Sequence, residues 1–339
     1  GYRVQFMGAN FFPHKPYTHL LQQMGVEVLV GEYMARNLDK WLRDNASYID
    51  NIYLHRPHVA EQFLDSLQRM NPRPNIVFFG HDLHYLRMER EFALKGGAEL
   101  EKTARQWQRR EFAVFDRVDK VYYPSEVEVA QVKQSRPELD VKAIPLYALP
   151  PGKEREYAPE KRSGVLFVGG FNHPPNVDAV SWFAAEVMPL GVAQNPSLVF
   201  HVVGSNPTDA VYELQQKNVK VYGYLSDDEL DALYQQVQLA VVPLRFGAGV
   251  KGKVIEAIQQ HVPLLTTAVG AEGIPEAEQV MEICESAEDF ADKVLAVAAG
   301  DPALLAKLPA YDAWLDAHFS AGRAARIIEQ DFGCPTRNS

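Results

Sequence analysis

The sequence predicts an α/β protein built as two doubly wound, Rossmann-like domains in tandem. Three observations carry that expectation. Short apolar runs of strand length alternate with amphipathic, helix-length segments along all 339 residues. Such alternation builds parallel sheets with helices on both faces. The length suits roughly two domains of ~150 residues. Near the middle, "LYALPPGKEREYAPEKRSG" (146–164) mixes Pro, Gly and charge without an apolar period, a composition that joins domains. The expected division is a first domain over 1–150, a second over 151–310 and a C-terminal helical segment over 311–339.

The elements follow in order. The first half offers strands at "RVQFM" (3–7), "VEVLV" (26–30), "IDNIYL" (49–54), "NIVFFG" (75–80), "VDKVYYP" (118–124) and "DVKAIP" (140–145). Helical patterns lie between them, among them "YTHLLQQMG", "HVAEQFLDSLQRM" and a long one over 96–116. The second half restarts with "VLFVGG" (165–170), "LVFHVVG" (198–204), "VKVYGYL" (219–225), "LAVVPL" (239–244), "VPLLTT" (262–267) and "VMEIC" (280–284). Ser125 with Glu128, and Ser226 with Glu229, have the spacing of capping boxes that start helices. Ligands of such sheets bind at the carboxyl ends of the strands, and two facing domains put a cleft there.

Composition narrows the function classes. Hydrophobic residues make up 47% and the formal net charge is −10. That sign does not draw nucleic acid or an anionic membrane to the whole surface. Cys284 and Cys334 form no C-x-x-C, so no zinc site or disulfide framework is read, and two free thiols in a reducing compartment are expected. No apolar run reaches the ~18–20 residues of a bilayer span. The start, "GYRVQFMGANFF", has no signal-peptide layout and no initiator Met. The chain is therefore expected to be a trimmed piece or a module of a larger polypeptide.

The stretch "RFGAGVKGKVIEA" (245–257) admits three readings. As a P-loop, Gly247, Gly252 and Lys253 fit G-x-x-x-x-G-K, but Val254 stands where Ser or Thr would hold Mg²⁺. No strand nearby supplies a Walker B Asp. As a plain turn, the glycines serve only unusual backbone angles. As a metal-free diphosphate cradle, Gly247, Gly249 and Gly252 leave N–H groups open and a helix begins near Gly252. Lys251 or Lys253 then neutralises charge, and Glu256, expected in the first helical turn, accepts both ribose hydroxyls.

In "FFGHDLHYLRMERE", His81, Asp82, His84 and Arg87 cluster after a strand, with Asp82 an expected helix cap. H-D-x-H is not a metalloprotease spacing, and no metal is expected. "MGANFFPHKPY" (7–17) has one glycine, which supports no dinucleotide site. In "HRPH" (55–58), Arg56 meets an anionic acceptor or caps the preceding strand.

"FVGGFNHPPNVDAVSWF", "VYGYLSDDELDALY" and "VVPLRFGAGVKGKVIEAIQQHVPLLTTAVGAEGI" resemble the second domain of family 4 glycosyltransferases of the GT-B fold, over 164–300. "VEVLVGEY", "HRPHVAEQFL" and "GHDLHYLRMERE" look like the acceptor domain of polysaccharide- and O-antigen-building members. The resemblance implies a retaining, metal-independent hexosyltransferase with no cofactor beyond its donor substrate, a nucleotide-diphosphate sugar. Its acceptor would be a glycan or lipid-linked glycan. The expected location is cytoplasmic, with peripheral contact to the inner membrane face left open. Glu256 matches the second Glu of the family's E-x7-E motif, while Ala248 stands where the first belongs. That departure fits the G-x-G-x-K-x-K form. By the same likeness Gly169 and Gly170 meet the donor, and the backbone at Gly223, Tyr224 and Leu225 meets the base. Tyr224 is equally a core or rim aromatic. His81 best matches the His that touches the donor sugar, His84 competes with it, and Asp82 orients either or meets an acceptor hydroxyl. The loop with Gly8 and Asn10 would lie over the reaction centre, and the C-terminal helix would cross back to the first domain. A sugar-nucleotide epimerase and a nucleotide-sugar-binding module without transfer remain as other readings.

Overall fold

The structure, a computed structural model, describes residues 2–146 and 157–333. Most of the expected linker and Cys334 lie outside the described residues.

The second domain holds six strands: β7 (Val165–Val168), β8 (Phe200–Val203), β9 (Val219–Gly223), β10 (Leu239–Val242), β11 (Leu264–Thr266) and β12 (Glu282–Ile283). They form one sheet in the order β12-β11-β10-β7-β8-β9, with every ladder parallel. Counted from β7 as the first, this is the doubly wound order of dinucleotide-binding folds. The order reverses between β7 and β10. Helices cover both faces, so central strands such as "VLFV" and "LAVV" are nearly unbroken apolar runs. Val165, Leu166, Phe167, Leu239, Val241 and Leu264 are all buried.

In the first domain the strands are β1 (Gln5–Phe6), β2 (Glu27–Val28), β3 (Asn51–His55), β4 (Asn75–Phe79), β5 (Lys120–Tyr123) and β6 (Val141–Ala143). The expected elements are present, but they do not share one sheet. β3 to β6 pair in sequence order, while β1 and β2 form a separate parallel pair. β1 and β2 have two residues each, and neither enters the core: Phe6 of β1 is 48% exposed and Val28 of β2 is half-buried. By contrast Ile76, Val77 and Phe78 of β4 are fully enclosed.

Both expected capping boxes form, with Ser125 N–H donating to Glu128 at 3.1 Å and Ser226 N–H to Glu229 at 2.8 Å. The long helix starts at Ala98 rather than 96, because Gly96 and Gly97 both take positive φ.

The C-terminal stretch is two helices, divided at Ser320, whose extended backbone ends the first. Helix Tyr311–Phe319 stays with the second domain, burying Tyr311, Trp314, Leu315 and Phe319 in its core. Helix Ala321–Phe332 lies on the first domain, where Ile327, Ile328 and Phe332 pack on Val77, Phe79, Tyr122 and Ile144. Asp331 fixes it. Its carboxylate meets the ammonium groups of Lys120 and Lys142 at 2.5 Å each and accepts from the Tyr122 hydroxyl. Burial alone would raise the Asp331 pKa, but these three donors outweigh burial and hold it below the usual carboxylate value. No single helix among the described residues is long and apolar enough to cross a membrane.

A depressed carboxylate stabilises the fold at pH above its unfolded value, ~3.9, and loses that contribution as pH falls through the folded value. Asp331→Asn is expected to lower unfolding free energy by about 2 kcal/mol at pH 7. In urea titrations the gap to wild type should close as pH drops toward 3; a gap independent of pH would contradict the assignment.

Candidate functional site

The reversal of strand order puts the loops after β7 and β10 side by side at the carboxyl edge of the sheet. A cleft of ≈ 620 Å³ opens there, lined by Gly169, Gly170, Asn176, Lys253, Glu256 and Asp227 among others. Gly169 is required by close approach. A Cβ on it would lie 2.6 Å from Lys253 Nζ and 2.8 Å from Asn176 Nδ2. Asn176 organises the floor, donating to the Gly170 carbonyl at 2.7 Å and accepting from Lys253 Nζ. Lys253 also sits 4.4 Å over the Phe167 ring. Burial, with Lys251 nearby, pulls its pKa down to about 7. Lys251 is pulled down to about 8, again by burial first.

The helix Gly252–Gln259 points its N-terminus at this cleft, with Lys251 as an N-cap that makes no side-chain cap bond. The amides of Gly247, Ala248, Gly249 and Val250 find no acceptor among the described residues. Gly247 and Gly249 take φ of 147° and 78°, which only glycine adopts without strain. Amides without acceptors, a positive helix end and two lysines are the features that an anion site uses. Glu256 lines the same cleft, its pKa raised by burial against the pull of Lys253. It is the fifth residue of its helix and so lies in the second turn, not the first. Val254, the departure from a P-loop, is fully buried and faces no ligand.

The first domain contributes the turn after β4. His81 Nε2 lies 3.1 Å from His55 Nδ1, and the rings are 5.3 Å apart. Burial, then the Arg56 and His55 charges, lower the His81 pKa to about 4, so the two rings face each other neutral at pH 7. Arg56 is exposed and precedes helix Pro57–Gln68 with φ 65°.

Asp82 is not a helix cap. Helix His84–Lys95 begins after Leu83, and Asp82 pairs with Arg87 at 2.5 Å. The cap comes from elsewhere: the buried Glu111 accepts from the amides of His84 (2.9 Å) and Tyr85 (3.0 Å). His84 turns inward, its ring 4.6 Å from Trp107 and its Nδ1 3.3 Å from Glu111. It is a core histidine.

Position relative to the cleft divides the other candidates. Gly169, Gly170, Lys253 and Glu256 line it. Gly247, Gly249 and Lys251 sit at the seam with the first domain, where a Cβ on Gly249 would lie 3.0 Å from Asp82 and 3.1 Å from the His81 carbonyl. Tyr224 is 73% exposed and off the cleft. Gly8 and Asn10 line a separate cavity of ≈ 450 Å³ walled by Phe6, Phe12 and Tyr17.

His173 escaped the sequence reading. It precedes helix Pro174–Trp182 in the loop after β7. Burial lowers its pKa to about 4, with Arg87 adding to the effect and Asp82, Lys253 and Lys251 within electrostatic reach. It stands between the charged groups of the two domains. The only signal was its place beside Pro-Pro-Asn. Among the described residues no three His, Cys, Asp or Glu side chains converge as metal ligands.

The architecture is of the GT-B class: two Rossmann-like domains facing a central cleft. Residues 162–299, essentially the second domain, match the family model described as "Glycosyl transferases group 1". A protein from Klebsiella pneumoniae, described as an uncharacterized 44.6 kDa protein in a cps region, is 30% identical over 117 residues. That match takes in 32% of this chain and 30% of the relative's length. Similar solved structures include S. aureus TarM (TM-score 0.67, 15% identity, 87% of this chain and 57% of that one). Sucrose-phosphate synthase from Thermosynechococcus elongatus is another (0.63, 17%, 90% and 80%). Anabaena HepE, in complex with UDP and glucose, is similar over nearly its full length (0.64, 15%, 98% and 99%).

An anion bound at the cradle would raise the pKa of both lysines, so binding takes up protons wherever they are deprotonated in the free protein. Titration calorimetry with UDP in two buffers of different ionisation enthalpy should show clear proton uptake at pH 8 and little at pH 6. Affinity should weaken as pH rises past 7. Binding at pH 8 without uptake would remove the lysines from the site.

Proposed function

We propose that the chain is a glycosyltransferase that moves a sugar from a nucleotide-diphosphate sugar to a glycan acceptor. One observation carries the reading. The N-terminus of helix Gly252–Gln259 and the Lys253 side chain line a cleft at the switch point of a doubly wound sheet, with the Glu256 carboxyl further along the same helix. That spacing suits a diphosphate and a ribose. The match of the second domain and the UDP in complexes of structurally similar proteins support it.

In this reading the second domain binds the donor. The loop amides, Lys253 and Lys251 stabilise charge on the leaving diphosphate, which is the main electrostatic demand of glycosyl transfer. No metal is needed, because the ammonium groups take its place. Neutral His81, steered by His55, offers a hydrogen bond at the sugar from across the cleft. The acceptor enters along the first domain, with Arg56 at its edge. Facing domains exclude water from the reacting centre. Retention of configuration, a hexosyl group, the family 4 assignment and a polysaccharide product rest on the motif resemblance. A cytoplasmic setting, an acceptor that includes a lipid-linked glycan, and work as a module of a larger polypeptide belong to the same reading.

A thermal-shift screen of UDP, GDP, dTDP, CMP and ATP, with and without EDTA, tests it. One nucleoside diphosphate should raise the melting temperature, insensitive to EDTA, because a ligand bound only to the native state stabilises it. Glu256→Ala should lose most of that shift, equivalent to at least a tenfold weaker affinity, about 1.4 kcal/mol. A Mg²⁺-dependent shift with ATP alone, indifferent to Glu256→Ala, would sink the proposal.

A further inference from the structure

The loop Gly247–Val250 does not rest on its own domain alone. Arg90, on helix His84–Lys95 of the first domain, reaches across the seam. Its Nη1 donates to the Gly247 carbonyl at 2.7 Å and to Glu272 Oε1 at 2.8 Å, and its Nη2 meets Glu272 Oε2 at 2.6 Å. Two glycines let the backbones meet. A Cβ on Gly249 would lie 3.2 Å from Glu128 Oε1, and one on Gly273 would lie 2.7 Å from Ser125 Oγ. Both have positive φ, 78° and 75°. Between these contacts Ala248 packs against the hydrophobic core of the first domain.

The missing Glu of the motif thus has a structural setting. Position 248 faces the first-domain core, beside the buried carboxyl of Glu128, whose Oε1 already lacks a hydrogen-bond partner. A carboxylate there would be desolvated against the apolar core of the first domain, in surroundings where burial already raises the Glu128 pKa to about 8.

We infer that the first domain holds the phosphate-binding loop in shape, with Arg90 as a positioning residue and Ala248 as a seam residue rather than a vacated donor contact. The consequence for the donor rests on the proposed function. The docking itself rests on the geometry alone. Arg90 fixes the Gly247 carbonyl and with it the loop, so the donor site is completed by a domain that does not itself bind the diphosphate. A Glu introduced at 248 disrupts the loop instead of restoring a sugar contact.

Hydrogen exchange of the full chain, read by mass spectrometry without ligand, tests the docking. In Arg90→Ala and in Ala248→Glu, amides 247–253 should exchange about tenfold faster, while those of β10 (Leu239–Val242) stay unchanged, marking local rather than global opening. Arg90→Lys, which keeps the charge but not the forked geometry, should fall between. Calorimetry with UDP and GDP should show affinity lowered about tenfold in Arg90→Ala and Ala248→Glu. Unchanged loop exchange in both variants, or tighter nucleotide-sugar binding by Ala248→Glu, overturns the inference. A wild type that binds no nucleoside diphosphate removes the donor reading, and the exchange comparison still decides whether the seam shapes the loop.

Discussion

Two lysines, Lys251 and Lys253, sit half-buried beside each other, and among the described residues neither makes a salt bridge to a carboxylate. Desolvating a cation is costly, and here burial outweighs the nearby carboxylates, Glu272 for Lys251 and Glu256 for Lys253, and lowers both pKa values. Much of the site's design follows from that constraint. Gly169 is a glycine because Lys253 occupies the space of its Cβ. Asn176 is pinned between the Gly170 carbonyl and the ammonium.

The architecture was legible because hydrophobic periodicity reports burial, and burial on both faces of a parallel sheet writes unbroken runs such as "LAVV". Pairing was less legible. β1 and β2 have strand-like composition, yet two-residue ladders lie outside the four-stranded sheet. No local pattern encodes which neighbour a strand meets.

The site was legible in part for a similar reason. Lys253 and Glu256 lie on one helix, so their spacing could be read locally, while Gly169 came from the motif resemblance; all three line the cleft. The cap expected of Asp82 was read locally, whereas Glu111, 27 residues from His84, supplies it. Tyr224, left as a base contact or a core or rim aromatic, is exposed, and a strand-end aromatic looks the same in sequence whichever it is. His173 and Arg90 act across the two domains, and their relevance exists only once the domains face each other.

The final helix has a consequence for synthesis. The first 146 residues form a sheet whose outer face, with Val77, Phe79 and Tyr122, is covered by residues 324–332. On the ribosome that face emerges before the second domain and stays bare until the helix that follows that domain is made. The earlier-made of the two domains is therefore finished after its partner. A nascent chain would carry a sticky apolar sheet through the whole translation of its partner, an interval in which chaperone binding or mispairing between neighbouring chains is decided.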